Sequence, residues 1–265
     1  VILVLAGTTE GRQLALELQK RGYPVVASVA TDYGASLLYR AGVKQVIRAR
    51  LTGTLWNETL SAHRVSVVVD ATHPYAVEVS KQAMEACSGM NIPYIRLERP
   101  PAQLPGHQLV HKAAGLPRAV DLAFAMGETC FCTLGSKHLE YIMEKAGERR
   151  VRVVARVLPD PQIVAKCIDL GIEKSNLIAM QGPASREINR ALYKFYRPSV
   201  VLTKESGVNG GLEEKIAPAL ELQIPVVVWQ RPKLDYPVKL SSIEEVLTRL
   251  HGIIGGNGLN GTIRE

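Results

Sequence analysis

The chain has 265 residues, 46% of them apolar and 22% charged, with a formal charge of +7. No apolar run approaches the roughly 18 residues of a membrane span. No basic region precedes the apolar N-terminus, so that run reads as a strand rather than a signal peptide, and the composition is that of a soluble globular protein. The basic residues are scattered without interleaved aromatics, which argues against a nucleic-acid partner and suits plain solubility or a polyanionic small ligand.

Val1–Ala6 predicts a buried strand that runs straight into Gly7, Thr8, Thr9, Glu10 and Gly11. Glu10–Arg21 follows as an amphipathic helix with Leu14, Ala15, Leu16 and Leu18 at helical spacing, and Gly22 ends it. Pro24–Val29 is the next strand, Ala35–Ala41 a short helix, Lys44–Ile47 a short strand and Leu55–His63 a helix. Val65–Asp70 is a buried strand, Tyr75–Cys87 a helix and Pro93–Leu97 a strand. Pro100, Pro101, Pro105 and Gly106 then break the rhythm and read as an interdomain linker.

After the linker the alternation restarts. Leu116–Ala125 is a helix, Thr129–Leu134 a strand, Ser136–Lys145 a helix, Arg150–Val157 a strand and Pro161–Asp169 a helix. Asn176–Met180, Ser199–Leu202 and Pro225–Trp229 are strands, with helices at about Ala184–Phe195 and Leu212–Leu222, and Ser241–His251 is a last helix. Short apolar strands alternating with helices imply parallel, doubly wound sheets. The expected fold is therefore α/β, with two consecutive Rossmann-like domains and a cleft between them. Residues 1–99 form the first domain, 106–252 the second, and 253–265 a flexible Gly- and Asn-rich tail.

Cys87, Cys130, Cys132 and Cys167 fall at no disulfide-framework spacing. They read as buried free thiols, which suits a reducing cytoplasm. Cys130 and Cys132 would need two further ligands to hold a metal, and none lies at a recognisable spacing, so no metal is expected.

Ligands of parallel sheets sit at the carboxyl ends of strands, so the residues after each strand carry the functional argument. Gly7, Thr8, Thr9, Glu10, Gly11 and Arg12 join a strand to a helix N-terminus, where free N–H groups and the helix dipole attract an anion such as a dinucleotide pyrophosphate. The spacing is G-x-x-x-G rather than G-x-G-x-x-G, and the same residues also suit a plain turn that needs glycine for positive φ. After the third long strand come Asp70, Ala71, Thr72, His73, Pro74, Tyr75 and Ala76. His73 could donate a proton or a hydrogen bond and Tyr75 could stack on a flat ring, or Thr72 and His73 simply satisfy the start of the next helix. Arg99 could clamp a carboxylate, or pair with Glu98 or Glu10. Ser136 and Lys137 follow Gly135, Gln181 precedes Gly182 and Pro183, and Lys204, Ser206 and Gly207 lie in a glycine-rich loop suited to a binding lid.

Tyr141 and Lys145 have the spacing of the short-chain dehydrogenase pair, in which a lysine lowers the tyrosine pKa for proton transfer. No serine on the preceding strand completes that set, and the N-terminal loop differs from the one such enzymes use. A short-chain-type reductase and a non-catalytic dinucleotide-sensing module remain as rival readings. The sensing module would not need polar loops at six strand ends.

Taken together, Gly7-Thr-Thr-Glu-Gly-Arg12, Asp70-Ala-Thr-His-Pro-Tyr-Ala76, Tyr94-Ile-Arg-Leu-Glu-Arg-Pro100, Gly135-Ser-Lys137, Gln181-Gly-Pro183 and Thr203-Lys-Glu-Ser-Gly207 resemble the precorrin-6A reductases of cobalamin biosynthesis. The resemblance runs from residue 1 to about 232. It implies a two-domain α/β enzyme that uses NADH or NADPH to reduce one C=C bond of a corrin-ring precursor, with or without cobalt in the ring. Such a tetrapyrrole carries many carboxylates, which fits the scattered cations. On this reading Gly7–Arg12, Asp32, Thr72 and His73 hold the cofactor. Arg99, Ser136, Lys137, Gln181, Lys204, Ser206 and Gly207 meet the substrate. Candidates for proton donor are His73, Tyr75, Lys204 and Ser206, and protonation from water would need none of them. Asp32 lies about 20 residues past the glycine turn, where an acid binds the ribose 2′-OH and favours NADH, and it equally suits the turn Asp32-Tyr33-Gly34.

Overall fold

The computed structural model describes residues 1–101, 103–206 and 210–256. In chain order the first elements are β1 (Ile2–Leu5), α1 (Thr9–Lys20), β2 (Val25–Val29), α2 (Asp32–Arg40), β3 (Val46–Arg48), α3 (Leu55–Ala62), β4 (Val67–Asp70), α4 (Val77–Gly89) and β5 (Tyr94–Leu97). Next come β6 (Val110–Ala113), α5 (Leu116–Phe124), β7 (Thr129–Cys132), α6 (Leu139–Arg149), β8 (Arg152–Val157), α7 (Pro161–Asp169), β9 (Leu177–Ala179) and α8 (Arg186–Tyr196). The series ends with β10 (Val200–Lys204), α9 (Glu213–Glu221), β11 (Val226–Trp229), β12 (Lys239–Leu240) and α10 (Ile243–Gly256).

The chain divides into two compact units, one made of Val1–Pro100 with the segment from Lys233 onward, the other of Pro101–Pro232. In the first unit all strands are parallel in the order β12-β5-β4-β1-β2-β3. Alternation along β1 sends Ile2 and Val4 to one face, with Leu14, Leu18 and Leu38 of α1 and α2. Leu3 and Leu5 face the other way, onto Trp56 and Leu60 of α3. Both faces are covered, which is why these strands read as continuous apolar runs. Each fully buried leucine contributes about 1.5–3 kcal/mol.

The second unit repeats the layout as β6-β11-β10-β7-β8-β9, again parallel. Phe131, Val154, Val201, Val226 and Val228 face α8 and α9, meeting Tyr193, Leu212, Ile216 and Ala219. The other face carries α5, whose Ala119, Val120 and Ala123 are fully buried.

The expected second domain, 106–252, is corrected at its far end. Residues 233–252 return to the first unit, where β12 pairs with β5 and where Val246 and Leu250 of α10 are fully buried in its core. The reason is that the sixth position of the first sheet is left vacant by β5 and filled by β12. The corresponding position of the second sheet is filled by β6, the first strand after the linker. Of the expected tail, 253–256 complete α10 and 257–265 lie outside the described residues. No helix among the described residues is long and apolar enough to cross a membrane.

Candidate functional site

In the first sheet the strand order reverses between β1 and β4. A crevice at the carboxyl end of such a reversal is where α/β sheets bind ligands. The two loops there are Gly7–Thr8 and Ala71–Ala76. Thr8 is the N-cap of α1, accepting from the Gly11 N–H at 3.2 Å while its hydroxyl donates to Ala71 O at 2.8 Å. One side chain thus caps the helix and ties the two loops together.

The two glycines do different work. A Cβ on Gly11 would stand 2.8 Å from Ala6 Cα and 3.1 Å from Ala71 Cβ, so Gly11 lets α1 approach the strand ends. Gly7 does not adopt positive φ, and the nearest atoms a Cβ there would meet belong to Thr72, at 3.5 Å and beyond. The chain itself therefore does not require glycine at position 7. The turn is exposed and leaves its backbone open to close approach, and these residues fit a dinucleotide pyrophosphate over the α1 N-terminus.

Around this turn, Arg99 pairs with Glu10 at 3.0 Å, one of the options the sequence offered. Arg12 donates to Thr9 Oγ1. Asp32 stands exposed in the first turn of α2, behind the Thr31 cap, and is paired with Arg48 of β3. His73 Nδ1 accepts from the Tyr75 N–H at 3.3 Å, which places the ring proton of a neutral imidazole on Nε2. The His73 and Tyr75 rings lie 5.5 Å apart.

Behind the second loop is a buried network that the sequence reading left without a role. Asp70 and Arg96 face each other on β4 and β5 and both are fully buried. Asp70 Oδ1 accepts from Arg96 at 2.8 Å and from the Thr72 N–H and hydroxyl, and Oδ2 accepts from Ser80 and Tyr94 at 2.6 Å. Every N–H of Arg96 is used, by Asp70, Thr72 Oγ1, Thr72 O and Glu98. Glu98 also accepts from Lys239, so the returning C-terminal strand joins the network. Burial works against the Arg96 charge, but Asp70, Tyr236 and Glu98 outweigh it and raise its pKa. The signal for this network was a charge at the end of Val-Val-Val-Asp and another inside Tyr-Ile-Arg-Leu, since charges in buried strands need partners.

In the second sheet the order reverses between β7 and β10, and there the loops are Gly135–His138 and Lys204–Ser206. Gly135 adopts φ +79°, a turn that favours glycine. Ser136 is half-buried and Lys137 exposed. Burial and Lys137 lower the Lys204 pKa, and burial, Lys137 and Lys204 lower that of His138, whose ring packs on Trp229 at 5.0 Å. Ser206 donates to Gly210 O, so this hydroxyl braces its own loop. Gln181 is exposed in a loop whose Pro183 would stand 3.0 Å from a Cβ on Gly211. Gly207 lies outside the described residues. Lys145 is held by Glu148 at 2.8 Å on α6, a bond that leads the causes raising its pKa, with Glu144 and Tyr141 adding to it.

A sequence profile described as "Precorrin-6x reductase CbiJ/CobK" matches residues 1–251. The cobalt-precorrin-6A reductase of Priestia megaterium is 40% identical over 251 residues, covering 94% of this chain and 98% of that protein. The cobalt-precorrin-6A reductase of Salmonella typhimurium is 35% identical over 234 residues, covering 87% of each. The solved structure of CobK precorrin-6A reductase is similar with a TM-score of 0.74 at 25% identity, covering 95% of this chain and 96% of that one. The chain belongs to the precorrin-6x reductase CbiJ/CobK family.

Proposed function

We propose that this chain transfers hydride from a reduced nicotinamide cofactor to one C=C bond of a corrin-ring precursor, precorrin-6A or its cobalt form, in cobalamin biosynthesis. The observation that carries the reading is the β1–α1 turn, a helix N-terminus at the strand-order reversal whose Gly7 is required by no contact within the chain. The cofactor, when bound, supplies the hydride. The protein's part is to hold the two reactants in register and to shape the electrostatics around them. Thr8, Gly11 and the amides of the first α1 turn would hold the pyrophosphate, with Thr72 and His73 alongside. The adjacent ring carbon then takes a proton, for which water suffices. Anaerobic incubation with the corrin precursor and each cofactor, followed by mass and absorbance, tests this. A gain of two hydrogens is expected, and no reduction with either cofactor would refute it.

Asp32 supports NADH as the preferred cofactor. Its carboxylate stands just past β2, where it can accept from a ribose 2′-OH and repel a 2′-phosphate. Its pairing with Arg48 holds it there and softens the repulsion. Asp32→Asn should therefore narrow the NADH preference in kcat/KM by about three- to tenfold, and an unchanged cofactor ratio would remove Asp32 from the ribose site.

Lys137, Lys204 and the wider positive balance support a polyanionic tetrapyrrole, as do Ser136, Gln181 and Ser206 on neighbouring strand-end loops. Raising salt should weaken substrate binding, and an affinity flat with salt would count against it. Lys204→Ala should cost about ten- to a hundredfold in kcat/KM, the worth of one charge-assisted contact, whereas Tyr141→Phe should change it less than about threefold. A dead Tyr141→Phe beside a near-normal Lys204→Ala would instead favour the short-chain pair. Four buried thiols support a cytoplasmic setting.

A further inference from the structure

Arg156, Thr133, Thr203, Asn189 and Lys215 share one face of the second sheet, at its carboxyl edge. Cys132 is level with Ala155 on one side and Leu202 on the other, so Arg156, Thr133 and Thr203 form the next row across β8, β7 and β10. Val154, Phe131 and Val201 point into the core under α8 and α9. The side-chain period of two puts Arg156, Thr133 and Thr203 on that same side. The covering helices bring Asn189 and Lys215.

Asn189 is fully buried and locked. Its amide nitrogen donates to Ala184 O, Ser185 O and Glu214 O, and its Oδ1 accepts from Arg156 at 2.7 Å. Lys215 is 6% exposed, and its ammonium donates to Gly210 O at 2.8 Å. Among the described residues no carboxylate forms an ion pair with Arg156 or Lys215. Thr203 is fully buried, and among the described residues its hydroxyl has no hydrogen-bond partner. A buried hydroxyl without a partner and a buried amine without a counter-ion are each costly, and a bound oxyanion relieves both.

We propose that this row is an oxyanion site that takes a carboxylate arm of the tetrapyrrole, with Arg156 and Lys215 as counter-ions and Thr203 as the neutral donor. It rests on the corrin-precursor reading above. A phosphate shares the chemistry, but the cofactor's phosphates already have the α1 N-terminus in the other unit. Burial, Arg156 of β8 and Lys204 of β10 push Lys215 down to about 7, against the pull of Glu214 on α9. Tyr193 of α8 donates to the Lys215 carbonyl, and burial raises its own pKa, so it stays neutral. An arriving carboxylate favours the charged amine, so binding takes up a proton and strengthens as pH falls from 8 to 6.

The full chain is titrated with uroporphyrin, a stable tetrapyrrole polycarboxylate, and separately with NADH and with pyrophosphate. Thr203→Val, close in shape, should weaken porphyrin binding about three- to tenfold while raising the Tm of the ligand-free protein. Lys215→Met should weaken it by about tenfold or more and flatten its dependence between pH 6 and 8. NADH affinity should stay unchanged in both. The proposal is overturned if wild type binds no porphyrin, or if folded variants bind it as wild type does. It is equally overturned if NADH or pyrophosphate affinity falls in their place. Should Lys215→Met not fold, Thr203→Val decides. Failure of the reductase assay with porphyrin binding intact would strike the reaction and leave this site standing.

Discussion

Gly7→Val is expected to weaken nicotinamide cofactor binding by at least about a hundredfold in a protein that still folds. The backbone at Gly7 does not need positive φ, and a Cβ there meets Thr72 only at ordinary contact distance. Thr8 keeps its cap on Gly11 and its bond to Ala71. What the valine fills is the exposed space over the helix end, where the proposed pyrophosphate would have to approach the backbone closely. Gly11→Ala is the contrasting change. Its Cβ would stand 2.8 Å from Ala6 Cα, backbone that cannot swing away, so α1 must shift at a cost of about 1–3 kcal/mol. Titration of NADH fluorescence with a thermal melt separates the two. Gly7→Val should lose binding and keep its Tm, while Gly11→Ala should lose Tm first. A folded Gly7→Val that binds NADH as wild type does would end the dinucleotide reading of this turn.

The alternation of apolar strands and amphipathic helices was legible because both faces of each sheet are covered, and such strands are written as unbroken runs like Val67–Val69. The position of the loops was legible for the same reason, since parallel topology gathers the residues after each strand at one edge of the sheet. The sixth strand of each sheet was not. Lys239–Leu240 and Val110–Ala113 (Val-His-Lys-Ala) are short edge strands with no apolar run to mark them. The return of the chain to the first unit after Pro232 follows from pairing β12 with β5, which no local composition signals. The buried polar groups were hidden by register. Asp70 and Arg96 are neighbours only because Val68 pairs with Tyr94, and Arg156, Thr133 and Thr203 form one row only once β8, β7 and β10 are aligned, with Lys215 brought over it by α9. Sequence offered Arg99 a ligand carboxylate, Glu98 or Glu10, and the pair with Glu10 comes from the fold.

Arg96→Met should destabilise the protein by about 3–5 kcal/mol, because it strips the cation from a fully buried carboxylate while leaving the carboxylate in place. A large share of a typical fold's total stability, about 5–15 kcal/mol, is at stake. The change also leaves Thr72 O without its donor, so the Thr72–His73 loop should loosen, and with the cofactor role proposed for that loop cofactor affinity should fall too. Lys239→Met removes a half-exposed partner of Glu98 from the same network and should cost no more than about 1 kcal/mol. Burial raises the Glu98 pKa, but Lys239 and Arg96 outweigh it and hold the carboxyl below its ordinary value. The stability Glu98 contributes is therefore complete above the ordinary carboxyl range and lost as pH falls through its depressed pKa. Acid unfolding should accordingly be less steep in Arg96→Met than in wild type. Denaturant melts at neutral and acid pH measure both effects. Asp70→Asn combined with Arg96→Met should recover part of the loss, since it removes the charge left unpaired. An Arg96→Met protein melting with wild type would show that the carboxylate is stabilised by Ser80, Tyr94 and Thr72 alone, and that Arg96 anchors the loop without holding the fold.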